Sequence, residues 1–187
     1  MNIPTPTLPQ AHQRPVDRHH TDLIQAVVLR RIRCLLAFMI GGLIISGVTA
    51  IPLSWEINLL HTLIGPGTWM QQHWPAMANW IDTVHQAITG VTQQYPLLLY
   101  GTDWLAFAHI IIALAFIGPY RDPVRNIWVI EFSLIACVLV VPMALLFGPL
   151  RGIPFFWRLI DCSFGVVGFI PLWIARQQIV RLEKLLH

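Results

Sequence analysis

Four side chains in this 187-residue chain bring acid, base and imidazole chemistry into apolar sequence: Asp103, His109, Arg158 and Asp161. Arg158 and Asp161 lie in the run Ile153 to Ala175, which is flanked by Gly152 and Arg176. A run of that length can cross a bilayer, which takes about 20 apolar residues. Ionised groups inside a span are expensive, so each needs a partner or a purpose. Arg158 and Asp161 are three apart, share a helix face and can pair. The favoured reading is structural: Arg158 snorkels toward the headgroups and Asp161 accepts from it. The functional alternative is a pocket completed by Asp103 and His109 that takes a lipid headgroup, a quinone or a haem propionate. As a haem ligand His109 needs an axial mate, and no second span carries a histidine, which leaves Met143, His61 or His85. Otherwise His109 is expected to hydrogen-bond a neighbouring helix through Asp161 or Asp103.

Two further groups are worth placing. Glu131 sits early in an apolar run, within reach of Arg121 or Arg125, and reads as half of an ion pair that anchors the preceding turn. His61, Asp82 and His85 offer nitrogen and oxygen donors suited to zinc or copper, with Asp82 and His85 on one helical face. Their spacing matches no tight metal signature, so scattered surface histidines are the favoured reading. Cys34, Cys137 and Cys162 are far apart and form no C-x-x-C pair, which fits buried, inert thiols. No G-x-S-x-G, H-E-x-x-H or phosphate-cradling glycine loop occurs, so nothing here argues for an enzyme.

The elements that must hold these groups are helices in lipid. The chain is 56% hydrophobic and only 11% charged, against about 25% charged for a soluble domain. Residues 1–20 read as a proline-broken, solvated tail that includes His19 and His20. Thr21 caps a basic amphipathic helix over 21–33 that ends in Arg30, Arg31 and Arg33. Spans follow at about 34–53, 102–119, 126–147 and 154–175, and residues 21–187 form a single membrane domain. Gly41, Gly42 and Ser46 give the first span a small-residue face for close helix packing. Residues 54–101 form an amphipathic helical region. One helix there is ended by Gly65-Pro66-Gly67, and a second is opened by Pro75 and lined by Met77, Trp80, Ile81 and Val84. Asp122 reads as the N-cap and Pro123 as the first residue of the third helix. Pro142 should kink that helix.

The net charge of +3 does not point to nucleic acid, because nearly every Lys and Arg flanks an apolar run. Ten basic residues fall on one side of a four-span arrangement, including Arg121, Arg125, Arg176 and Lys184, against Arg151 and Arg158 on the other. The richer side faces the cytoplasm. That places both termini inside and residues 54–101 outside the cytoplasmic (inner) membrane. At about 1.5 Å per residue, His109, Arg158 and Asp161 then lie at similar depth in the outer leaflet. The sequence thus predicts an all-α, four-transmembrane-helix bundle with amphipathic helices on its outer face. The leading function is an accessory or scaffold subunit packed against other membrane subunits or its own copies. A haem- or quinone-binding redox subunit, or a small transporter or intramembrane enzyme, is the alternative.

Overall fold

The computed structural model describes residues 15–186. The expected tail lies outside the described residues over 1–14, whereas Pro15–His20 belong to the first helix. The described residues are α-helical with short turns. In order they form α1 (Pro15–Ala50), α2 (Leu53–Ile64), α3 (Trp69–His73), α4 (Pro75–Gln94), a 3₁₀ turn (Pro96–Leu99), α5 (Tyr100–Ala115), α6 (Ile117–Arg121), α7 (Ile127–Leu150) and α8 (Phe155–Leu186). Four stretches are long and apolar enough to cross a membrane: His20–Ala50, Pro96–Arg121, Ile127–Leu150 and Phe155–Leu186. The protein is an all-α four-helix membrane bundle.

Boundaries follow local chemistry. The amphipathic lead-in and the first span are one continuous helix, so Thr21 lies inside α1 rather than capping a new one. Nothing between Thr21 and Ala50 forces a break, because that stretch contains no proline. α2 ends where the Gly65 N–H reaches the His61 carbonyl at 2.9 Å, and Gly67 adopts φ +85°, a conformation suited to glycine. The Thr68 hydroxyl then caps α3 by accepting from the Met70 N–H at 3.2 Å.

The second span is interrupted at Phe116. Pro119 has no N–H to offer the Ala115 carbonyl, and α5 gives way there to the short α6. The following turn is tied by the Asp122 carboxylate, which accepts from the Arg125 N–H at 3.1 Å. Asp122 therefore caps a turn, and α7 starts four residues after Pro123, at Ile127. Between α7 and α8 the chain forms a Schellman turn. Gly152 has φ +70°, its N–H bonds the Pro149 carbonyl, and the Ile153 N–H bonds the Gly148 carbonyl, at 3.1 and 3.0 Å.

Packing places α1 centrally. It lies against α5 on one side and α8 on another, and α7 lies against α8. One contiguous core joins Val28, Ile32 and Leu36 of α1 to Leu172, Ala175 and Ile179 of α8, with Ile130 of α7 and Phe116 beside them. Spacings of three and four residues put each set on one stripe of its helix. This core sits at the arginine-rich end of the bundle. Toward the opposite end, helices meet through glycines: a Cβ at Gly47 would lie 2.8 Å from the Ala106 carbonyl oxygen, and one at Gly165 would lie 2.5 Å from that of Cys137. α2, α3 and α4 form a compact cap on that end, where Trp80 meets Trp157 and Trp74 meets Phe156 at the head of α8, with ring centroids 6.2 and 5.2 Å apart.

Candidate functional site

The residues with convergent polar chemistry lie between α2 and α4. These helices run antiparallel, and each carries polar side chains at intervals that bring them back to the same face: Ser54, Asn58 and His61 on α2, Asp82, His85 and Thr92 on α4. Opposed in reverse order, they meet in three rungs. The Ser54 and Thr92 hydroxyls are 3.0 Å apart, His85 Nε2 donates to Asn58 Oδ1 at 2.7 Å, and His61 Nε2 donates to Asp82 Oδ1 at 3.1 Å. Beside this seam Ile57, Met77, Ala78 and Ile81 are buried, so apolar packing sets the spacing that the polar rungs bridge.

Two of the rungs bring metal-ligating groups together. The imidazoles of His61 and His85 stack with centroids 4.2 Å apart and planes 21° from parallel. One donor atom each from His61, Asp82 and His85 lie within 4.8 Å of one another. Gln86 Nε2 donates to Asp82 Oδ2 at 2.9 Å, which occupies the carboxylate oxygen that faces away from His61. All three residues are half-buried. The region 54–101 contains no lysine or arginine, so no basic side chain of the cap competes for Asp82. Sequence spacing did not reveal this convergence, because the ligands are split between two helices that only the hairpin aligns.

The other four candidates do not converge. His109 Nδ1 donates to the Leu105 carbonyl of its own helix at 2.8 Å, rather than to Asp161 or Asp103. Its stem packs where α5 crosses Gly47 of α1, at 3.2 Å from a Cβ built there. Asp103 is exposed beside Tyr100, Trp104 and Phe107, which line a shallow apolar recess of about 250 Å³. Arg158 and Asp161 lie on α8, which packs on α1 and α7 and shares no packed interface with α5. Their expected ion pair does not form. The Arg158 side chain instead lies across Gly148 of α7 and over the Phe155 ring, 5.2 Å from its centroid. Its Nε is buried and has no hydrogen-bond partner among the described residues. The aliphatic stem of Arg158 fills the space that a side chain at Gly148 would take.

The expected anchor at Glu131 changes partner. Arg176 of α8 places Nε and Nη2 at 3.0 and 2.9 Å from Glu131 Oε1, and among the described residues neither Arg121 nor Arg125 makes an ion pair. Glu131 follows the buried Ile130, and Arg176 follows the buried Ala175, so both extend from the α7–α8 contact face. Spacing along the chain pointed to the nearer arginines; the packed neighbour is 45 residues away.

The fold and these contacts define a class: an all-α integral membrane bundle whose polar convergence lies in a helical hairpin outside the four long apolar stretches. Compared with protein-family models, with curated proteins and with solved structures, the chain matches none.

Proposed function

We propose that this protein is an accessory or scaffold subunit of the cytoplasmic membrane, with both termini inside and the α2–α4 cap outside. The observation that carries the reading is an unpartnered small-residue face on the central helix. Gly42, Ser46 and Thr49 of α1 are four and three residues apart, all exposed, and among the described residues no neighbouring helix comes within 4 Å of a Cβ built at Gly42. In lipid, helices associate through such faces, because close backbone approach replaces the absent hydrophobic drive. Gly47 already serves α5 in this way on another side of α1. Three polar groups of the spans are already engaged: Glu131 with Arg176 of α8, and His109 and Ser133 with carbonyls of their own helices. The orientation is supported by the arginines gathered at the core end.

The redox alternative gains no support from the geometry. Met143 is exposed on α7, an element that shares no packed interface with α5 and His109.

The test is purification from its native membrane in mild detergent, followed by mass determination of the intact particle. The expected result is a stoichiometric partner subunit or a second copy, with at least a tenfold loss of that species in Gly42→Leu. A monomer in the wild type, or a complex untouched by Gly42→Leu, overturns the reading.

A further inference from the structure

We propose that His61, Asp82 and His85 bind one divalent transition-metal ion, with zinc the best match to the donor set. The inference rests on the α2–α4 hairpin alone and is independent of the accessory-subunit reading.

Neutral imidazole nitrogen together with carboxylate oxygen is a ligand set that suits zinc. In a tetrahedral zinc site, with bonds of about 2.0–2.1 Å, donors stand about 3.3 Å apart. The three donors here already lie within 4.8 Å of one another. The gap left between any two donors is thus at most about 1.5 Å. His61 Nε2 and Asp82 Oδ1, at 3.1 Å, have that separation now. On binding, each ring presents the Nε2 lone pair and carries its proton on Nδ1.

Two features beyond proximity favour an ion. First, the cap lacks lysine and arginine between Ser54 and Gly101, so a dication supplies the positive charge that Asp82 would otherwise find only in an imidazole. Second, the shell around the donors is built. Gln86 holds Asp82 Oδ2 at 2.9 Å and leaves Oδ1 directed at His61. Asn58 Oδ1 accepts from His85 Nε2 at 2.7 Å in the metal-free state, and once an ion takes the Nε2 lone pair that oxygen is close enough to serve as a fourth donor. Three protein ligands leave one position open to water, which is the arrangement of exchangeable and reactive zinc sites rather than of sealed structural ones. A purely structural polar zipper would need the same hydrogen bonds but would bind no metal.

The experiment uses the full-length protein without an affinity tag, stripped with chelator in detergent and dialysed against micromolar zinc sulfate. Metal content is read by mass spectrometry and affinity by calorimetry. The expected result is one zinc per chain, with affinity reduced at least tenfold in His61→Gln, His85→Gln and Asp82→Asn. It should be unchanged in His73→Gln, a histidine bonded only within α3. To separate loss of a ligand from unfolding of the hairpin, helical content is measured alongside, and cobalt is bound in place of zinc. Intense visible d–d bands that disappear in His85→Gln, at unchanged helicity, mark a low-coordinate site. Zinc uptake that all three substitutions leave intact overturns the proposal, as does wild-type protein that retains no zinc after dialysis.

Discussion

A single carboxylate decides how α7 and α8 are joined. Glu131 accepts two guanidinium contacts from Arg176, at 2.9 and 3.0 Å, although Arg121 and Arg125 lie nearer along the chain. Both side chains keep a third or more of their surface open, 33% for Arg176 and 45% for Glu131, so the pair is modest in strength. Glu131→Gln or Arg176→Gln is expected to cost about 1 kcal/mol, at the upper end for exposed pairs. The swapped protein, Glu131→Arg with Arg176→Glu, should recover most of that loss, whereas Glu131→Arg alone should lose more. Thermal unfolding in detergent checks all four proteins. If the swap is no better than its worst single change, the contact is incidental. Arg158 shows the same principle from the other side. Its spacing invited Asp161, but the open space at Gly148 receives its stem instead.

At the scale of helices, glycine determines which elements touch. Gly165 sits where α8 crosses α7, and Gly47 where α1 crosses α5. A side chain at either position meets backbone carbonyl oxygen, which cannot rotate away. Gly165→Leu is expected to destabilise the protein by about 1–3 kcal/mol through overpacking. Gly41→Ala has no atom within 4 Å of its new Cβ and should be neutral or stabilising by up to about 1 kcal/mol. Chemical denaturation of the two variants provides the comparison, and equal effects would remove the packing argument. The helices themselves were largely legible: the Gly65-Pro66-Gly67 stop, Pro75 at the head of α4 and the four apolar runs all fall where local chemistry puts them. The continuity of α1 was not, since a basic amphipathic segment and an apolar one differ in solvent but not in helical propensity.

For the molecule as a whole, the arrangement is asymmetric from end to end. A packed core and most of the arginines occupy one end, and a cap without lysine or arginine occupies the other, beside Arg151 and Arg158. The proposed orientation follows from that charge difference and can be checked in intact cells. With Cys34, Cys137 and Cys162 replaced by alanine, Gln72→Cys in the cap should react with an impermeant maleimide. Glu183→Cys, near the end of α8, should react only after permeabilisation. Both positions are exposed, so burial does not confuse the result. The reverse pattern would invert the molecule in the membrane.

The amino-acid sequence by itself determined that four apolar helices exist, where most of them stop, and which end carries the basic charge. These are properties of neighbouring residues, read from length, glycine, proline and arginine. Which helix faces which was decided only in the tertiary structure. Within a span the lipid side is as apolar as the packed side: Ile135, Val138 and Leu139 of α7 are exposed while Ile130 and Leu134 are buried. Hydrophobic period therefore does not mark the contact face, and an ion pair or ligand set shared between helices leaves no trace in spacing. That is why Asp103 and His109 looked close to Arg158 and Asp161 yet stand on helices that share no packed interface. It is also why His61, Asp82 and His85 looked scattered and instead meet.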